Sequence, residues 1–182
     1  MRQKINIRLG NGNSIDLDCW QRTYGLPLDS LQIGRHFSMN ENIFRSDIRK
    51  FGSLEVNEIL MRFLDNFRDA VATPVRINSF NRSAAYQARL IASGVRAAAT
   101  SPHVAKMAAD IDTVSRQQTL QWVNVARAVA EDMDIRIRLG YKKYLAEGKT
   151  FIHVDVCPEF YAEGKIFHHK PHPAVWENAI SW

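Results

Sequence analysis

The chain has 182 residues, of which 46% are hydrophobic and 24% charged, and its formal net charge is +5. This composition is typical of a globular chain long enough to bury one sizeable core, and nothing in it suggests a second domain. The positive charge favours anionic partners, but Lys and Arg are scattered without a basic run, so we do not expect a nucleic-acid partner. The two cysteines, Cys19 and Cys157, are too few for a disulfide framework and too far apart for a Cys-x-x-Cys metal site.

The sequence contains no segment that predicts membrane insertion. No stretch approaches the roughly 20 apolar residues of a membrane span, and the first residues lack the apolar core of a signal peptide. We therefore expect a protein made in the cytoplasm without a membrane partner, which would need another route if it acts outside the cell. The sequence leaves the oligomeric state open.

The first half of the chain predicts one hairpin followed by helices and a strand. Residues 4–17 alternate around a Gly-Asn-Gly-Asn turn, which is a hairpin signal, and residues 37–42 look like the start of a helix. Apolar residues at three- and four-residue steps then predict a helix over 54–71. A short strand over 75–80 and a helix over 82–94 follow.

The second half continues with one helix and further strands. The helix predicted over 117–133 places Leu120, Val123 and Ala126 on its core face, and residues 134–140 and 151–156 alternate as strands. Local antiparallel pairs beside helices indicate an α+β fold, a small antiparallel sheet with helices packed around it.

The segment between the helices predicted over 82–94 and 117–133 carries the strongest chemical signal. His103 follows a Ser-Pro turn, and Asp110 lies in an alternating apolar run after six intervening residues. An imidazole and a carboxylate are two of the three protein ligands that a catalytic zinc commonly takes, and His153 is the best candidate for the third. If the strands of Asp110 and His153 pair, these side chains share one face, and His103 must reach them from the preceding loop.

The pattern Ser101-x-His103-x6-Asp110, followed by His153-x-Asp155, resembles the signature of the zinc D-Ala-D-Ala carboxypeptidase family of peptidoglycan peptidases. That family includes phage endolysins and shares its fold with the hedgehog signalling domain. The resemblance covers roughly residues 37–156. We therefore expect a single domain over 1–182, in which the peptidase-like core is extended by the N-terminal hairpin and a C-terminal tail.

The resemblance also implies a cofactor, a substrate and residue roles. It implies a zinc ion bound by His103, Asp110 and His153, and a peptidoglycan peptide as the substrate. Arg82, which opens a helix after a short Ser-containing strand as in the family, and Ser101 would contact the substrate or the developing oxyanion. The implied reaction is hydrolysis of a peptide bond by a metal-activated water, as a carboxypeptidase or as an endopeptidase.

The chain departs from the family pattern at two positions. The glycine usual three residues after the first histidine is Lys106, and the acid that some members carry three residues before the last histidine is Thr150. The general base is therefore open between Asp155, which shares a strand face with His153 and is favoured, and Glu147 in the preceding turn. Asp155 could instead orient His153.

An alternative function is a non-catalytic module on the same fold, which binds the cell wall or forms part of a virion. Lys106 favours this alternative, because a further cation near the site would oppose zinc. A structural metal site would be closed by a fourth ligand. The candidates for that ligand are Cys157 and the tail residues His168, His169 and His172.

Overall fold

The structure, a computed structural model, describes residues 6–8, 14–16, 31–51, 53–94, 101–157 and 176–178. The helices are α1 (Asn42–Phe51), α2 (Glu58–Val71), α3 (Ala84–Ala92), α4 (Arg116–Asp132) and α5 (Lys142–Ala146). The strands are β1 (Asn6–Arg8), β2 (Ser14–Asp16), β3 (Ser53–Glu55), β4 (Ile77–Ser79), β5 (Ala108–Asp112), β6 (Arg138–Gly140), β7 (Phe151–Asp155) and β8 (Trp176–Asn178). None of these helices combines the length and apolar character needed to cross a membrane.

A three-stranded sheet joins the N-terminal hairpin to the strand before α2. β1 pairs antiparallel with β2, as the hairpin prediction requires, and the predicted turn lies outside the described residues. β1 also pairs parallel with β3, with Ile7 opposite Leu54. The helix predicted from residue 54 therefore begins only at Glu58, after Asn57 accepts a hydrogen bond from the Leu60 amide (3.0 Å). The early start was wrong because pairing with a distant strand overrides the local apolar period.

The second sheet has five strands in the order β4-β5-β7-β6-β8, and every neighbouring pair is antiparallel. This arrangement confirms the predicted α+β fold. β5 and β7 lie next to each other with Asp110 opposite His153, and β6 places Arg138 opposite Asp155. Because side chains alternate along a strand, these four polar residues share one face of the sheet.

The other face of this sheet carries the core. Its buried apolar residues are Ala109, Ile111, Leu139, Ile152 and Val154. α2 and α4 supply further buried side chains to the same core, and the Phe67 ring meets Trp122 edge to face at 5.5 Å. Each fully buried side chain of this size contributes roughly 1.5–3 kcal/mol. The core thus fixes the backbone from which the polar face projects.

The predicted core face of α4 was wrong at one position. Leu120 is 42% exposed, whereas Val123 and Ala126 are buried as expected, and Trp122 joins them. A bulky aromatic ring between α2 and α4 rotates the buried stripe toward Trp122 and leaves Leu120 near its edge. The pattern of apolar letters alone does not distinguish these two rotations.

α1 and α3 flank the edge strand β4 and determine the position of Arg82. Phe44 of α1 packs edge to face on Phe80 at 5.3 Å. α3 begins at Ala84, two residues later than predicted, because the Ser83 hydroxyl accepts a hydrogen bond from the Tyr86 amide (3.1 Å) and caps the helix. Arg82 consequently lies in the short connection between β4 and α3.

Candidate metal centre

The structure brings His103, Asp110 and His153 into one buried cluster. Asp110 Oδ1 lies 2.7 Å from His153 Nδ1 and 3.2 Å from His103 Nε2, and the two ring nitrogens are 3.2 Å apart. One ligand atom from each residue lies within 4.8 Å of the others. His103 reaches the cluster from the turn over 101–107, while Asp110 and His153 project from paired strands. The geometry expected from the sequence is present, and the role of the three residues as ligands stays a prediction.

The protonation of the cluster fits a bound cation. His103 Nδ1 lies 2.6 Å from the Phe80 carbonyl oxygen and must donate to it, which leaves Nε2 unprotonated in the neutral ring. Burial lowers the pKa of His103 and favours that neutral form, although Asp110 opposes the shift. Nε2 therefore directs a lone pair at His153 Nδ1 and Asp110 Oδ1. Two nitrogens and one carboxylate oxygen converging in this way are a donor set that zinc accepts.

Asp110 is held in the ionised form that a metal ligand needs. Burial alone would favour the neutral acid, but the His103 and His153 imidazoles outweigh it and hold the pKa of Asp110 well below its usual range. Burial likewise opposes a charged His153, but its contacts with Asp110 and Asp155 raise the pKa of His153. In the absence of a cation, a proton between the rings would satisfy the cluster. A metal ion would replace that proton.

Asp155 contacts His153 on the far side of its ring. Asp155 Oδ2 lies 3.4 Å from His153 Nε2, the nitrogen opposite the one that faces Asp110. Both oxygens of this fully buried carboxylate accept from Arg138 Nε, at 2.9 and 3.0 Å, and Oδ1 accepts from the Cys157 amide. Burial favours the neutral acid, but His153 and Arg138 outweigh it and lower the pKa of Asp155. Asp155 is therefore an ionised group that can fix the orientation of the His153 ring.

Sequence reasoning missed Arg138, which is 2% exposed. It lies between Ile137 and Leu139, and both neighbours belong to the core. Alternation predicts that it faces away from the core, and an arginine at such a position is expected in water. Arg138 could have been predicted as buried only if it had been considered together with Asp155, a carboxylate on the neighbouring strand that also needed a charged partner. Strand register, which the sequence did not provide, makes that connection.

Arg82 lies beside the cluster with its side chain partly accessible. Its Nη2 donates to Asp110 Oδ2 (3.2 Å) and to Ser79 Oγ (3.1 Å), and its Nη1 lies 3.5 Å from Gln87 Oε1. The side chain is 20% exposed. Arg82 thus contacts one of the three candidate ligands and still presents a surface to a bound molecule.

The remaining predicted site residues have other partners in the structure. Ser101 is buried at the start of the turn, where its carbonyl accepts from the amides of Val104 and Ala105. Glu147 follows α5 on an exposed turn, where its carboxylate pairs with Lys149 at 2.8 Å. Cys157 is buried with its sulfur 3.9 Å from Met107 Sδ, and burial raises the pKa of its thiol. Among the described residues, Cys157 is absent from the group that could hold a metal, and the tail histidines lie outside those residues.

Lys106 ends the turn that carries His103. The Met107 amide donates to the Pro102 carbonyl (2.9 Å) and the Lys106 amide to the His103 carbonyl (3.2 Å), which is the hydrogen-bond pattern of a Schellman motif. The φ angle of Lys106 is +65°. Such a position favours glycine, because left-handed backbone strains a residue that has a Cβ atom. A glycine would adopt this conformation without strain.

The Lys106 ammonium is directed to the segment before α3. Its Nζ donates to the Arg82 carbonyl (3.1 Å). Burial lowers the pKa of Lys106, and the charges of Glu55 and Asp47 oppose that shift. The further cation expected to oppose zinc is thus bonded to a backbone carbonyl, and its effect on a metal stays a prediction.

Asp47 of α1 is a buried carboxylate that the sequence analysis did not single out. It is 2% exposed, and its Oδ2 accepts from the Asn81 amide (2.8 Å). Burial raises the pKa of Asp47 to about 6, against the lowering influence of the Asn81 amide and of Lys50, Lys106 and Arg82. An isolated aspartate in a short polar helix is normally exposed, so the sequence carried no signal for it.

The raised pKa of Asp47 predicts a pH-dependent stability. Because the folded value of about 6 lies above the reference value of 3.8, its stabilisation is complete below pH 3.8 and is lost as pH rises through 6. Relative to the wild type, Asp47→Asn should gain about 2–3 kcal/mol of unfolding free energy between about pH 3.5 and pH 7.5. Denaturant unfolding of both proteins at several pH values measures this difference. A difference that stays constant over that range would contradict the buried, raised carboxyl.

Comparison with known proteins provides one structural likeness. No protein-family model matches the chain, and no curated protein matches it. Among solved structures, the Serratia marcescens L-Ala D-Glu endopeptidase ChiX aligns with a TM-score of 0.50 at 18% identity, over 66% of this chain and 90% of its own. The two chains share a fold. The likeness supports the α+β fold expected from the sequence, and the chemistry must be argued from the residues of the site.

Proposed function

We propose that this protein is a zinc-dependent peptidase that hydrolyses peptide bonds in the stem peptides of peptidoglycan. The observation that carries the proposal is the buried convergence of His103, Asp110 and His153, with one ligand atom from each within 4.8 Å of the others. The fold shared with an L-Ala D-Glu endopeptidase supports it, since that bond joins residues of the kind found in stem peptides. The net charge of +5 suits a polymer that carries carboxylates.

His103, Asp110 and His153 would hold the zinc ion. When bound, zinc in such a site acts as a Lewis acid and lowers the pKa of a coordinated water from about 16 to roughly 7. Three protein ligands are the number found in catalytic zinc sites, whereas structural sites use four. The His103 and His153 rings are each held by a second contact, to the Phe80 carbonyl and to Asp155 respectively. These contacts would keep the ligand nitrogens aimed at one point.

Arg82 is the residue best placed to bind a negative group of the substrate. Its planar guanidinium suits a carboxylate or the oxyanion that develops on the attacked carbonyl. The contacts with Ser79 and Asp110 fix its orientation, and its partial exposure leaves donors available. Ser101, at the start of the turn, would act by shaping the approach to His103.

Burial separates the roles of the two candidate proton acceptors. Asp155 has both oxygens occupied by Arg138 and no exposure, so we assign it to orienting His153. The Glu147 side chain is 41% exposed on the turn after α5 and is accessible to solvent and to a bound molecule. We therefore assign to Glu147 the transfer of a proton from the attacking water to the leaving amine.

The proposed activity predicts hydrolysis that depends on zinc. Zinc-loaded protein incubated with purified peptidoglycan should release new free amino groups, a chelator should abolish the release, and added zinc should restore it. Free D-Ala among the products would indicate a carboxypeptidase, and new amines without D-Ala would indicate an endopeptidase. Labelling of the new amino groups, followed by mass analysis of the fragments, measures both.

The matched control for this assay is Glu147→Gln, which leaves the three candidate ligands intact. It should retain zinc and release product on the order of 10²–10⁴-fold more slowly. If Glu147→Gln stays fully active, its assignment as proton acceptor is wrong. If the folded, zinc-loaded wild type binds peptidoglycan without cleaving it, the protein is a binding module instead of an enzyme.

A further inference from the structure

Two hydrogen bonds join the segment 80–82 to the turn over 101–107, one between backbone groups and one from the His103 ring. The Arg82 amide donates to the His103 carbonyl (3.1 Å), and His103 Nδ1 donates to the Phe80 carbonyl (2.6 Å). The segment that carries Arg82 and the turn that carries His103 are thus joined edge to edge. A displacement of one segment would therefore break or strain the hydrogen bonds that hold the other.

The far side of the same segment is bound to α1 and β3. The Asn81 amide donates to Asp47 Oδ2 (2.8 Å), and the Asn81 side-chain amide donates to the Glu55 carbonyl (2.9 Å). The Arg82 carbonyl accepts from Lys106 Nζ. The Phe80 carbonyl, the Asn81 amide and the Arg82 amide and carbonyl therefore all have partners, and the ammonium of Lys106 supplies the partner of the Arg82 carbonyl.

Lys106 has a left-handed backbone conformation, which is strained for a residue with a Cβ atom. In the part of the chain that the structure describes, the non-glycine residues with positive φ are Ala72, Lys106 and Asp134. Ala72 and Asp134 lie at the ends of α2 and α4, whereas Lys106 ends the short turn of His103. A glycine would remove the strain but could not reach Arg82. The ammonium is the feature that lysine adds at this position.

We propose that Lys106 is a positioning residue, whose ammonium ties the Arg82 carbonyl to the turn of His103 and so fixes the Arg82 guanidinium beside Asp110. The effect on catalysis rests on the proposed function, whereas the tie itself does not. Lys106 contacts no substrate in this proposal and acts through Arg82. A glycine at this position would have an unstrained backbone, whereas lysine adds a hydrogen bond to the Arg82 carbonyl.

Three substitutions separate the cross-link from the backbone strain. Lys106→Met removes the donor and keeps the strain, Lys106→Gly removes both, and Lys106→Arg keeps a cationic donor. The control is Lys50→Met, which removes another cation that acts on Asp47 from the exposed surface of α1. Because Lys106→Gly relieves strain, it should fold at least as well as Lys106→Met.

The tie is tested first on the full chain without metal, by amide hydrogen exchange at Arg82. Exchange should accelerate by roughly tenfold or more in Lys106→Met and Lys106→Gly, because losing the bond to the Arg82 carbonyl loosens the segment and with it the bond from the Arg82 amide to the His103 carbonyl. It should stay near the wild-type rate in Lys106→Arg and in the Lys50→Met control. Unchanged exchange in both variants that lack the donor would overturn the proposal, whether or not the protein is an enzyme.

The consequence for catalysis is tested on zinc-loaded protein with peptidoglycan fragments. kcat/KM should fall on the order of tenfold in Lys106→Met and Lys106→Gly and recover in Lys106→Arg. In an Arg82→Lys background the same substitutions should have little further effect, because Lys106 acts through Arg82. If exchange responds while kcat/KM stays at the wild-type value, Lys106 is merely structural and the proposal is wrong. If the wild type does not hydrolyse its substrate, the proposed function fails, and the exchange result alone decides the tie.

Discussion

Replacing Arg138 with methionine should cost about 3–5 kcal/mol of unfolding free energy, because it leaves the Asp155 carboxylate buried without its partner. Arg138 and Asp155 are 2% and 0% exposed, and Arg138 Nη2 lies 2.8 Å from Asp155 Oδ2. Charges removed from water at this depth are tolerated only as a pair. Denaturant unfolding at neutral pH measures the loss.

The matched control is the exposed pair of Arg76 and Asp112, whose nitrogen and oxygen are 3.3 Å apart. Arg76 is 85% exposed, so Arg76→Met should change the unfolding free energy by less than about 1 kcal/mol. If Arg138→Met also changes the unfolding free energy by less than about 1 kcal/mol, the buried pair does not stabilise the fold as its burial implies.

A double substitution separates stability from the orientation of His153. Arg138→Met combined with Asp155→Leu replaces the ion pair with apolar groups of similar size, and it should recover most of the lost stability. It should still weaken zinc binding by roughly 10–100-fold, because His153 Nε2 loses the carboxylate that fixes its ring. A stable double variant with wild-type zinc affinity would contradict the orienting role of Asp155.

The sequence predicted the convergence of His103, Asp110 and His153 better than the surroundings of the cluster. The spacing of His103 and Asp110, and an alternating strand around His153, suffice to predict three residues that converge, because strand alternation places Asp110 and His153 on one face. Nothing local indicates that Arg138 lies opposite Asp155, since that contact depends on the register of two strands. The assignment of Asp155 to base or to orienter needed its burial, which the sequence could not supply.

Element boundaries failed where distant contacts decide them. The apolar period that predicts a helix from residue 54 continues through β3, but pairing with β1 holds that segment extended. A helical stripe centred on Val123 and Ala126 can extend toward Leu120 or toward Trp122, and packing against Phe67 selects Trp122. In contrast, the departure at Lys106 was visible in the sequence. Its meaning required the φ angle and the contact with Arg82.

The zinc content of His153→Ala tests the central claim most directly. Removing one of the three candidate ligands, whose ligand atoms lie within 4.8 Å of one another, would leave two, which is too few to hold the ion against a chelator. We expect about one zinc per chain in the wild type and almost none in His153→Ala. The same loss should accompany Asp110→Asn, which keeps the shape of the side chain and removes its charge.

The measurement is elemental analysis of purified, folded protein after dialysis against a weak chelator. His36→Ala is the matched control, because His36 pairs with Asp69 on the surface of α2, and among the described residues it is absent from the group that could hold a metal. It should retain zinc at the wild-type level. About one zinc per chain in the wild type and in His36→Ala, with almost none in His153→Ala, is the result we predict. Equal zinc in the wild type and in His153→Ala would contradict the assignment of the site.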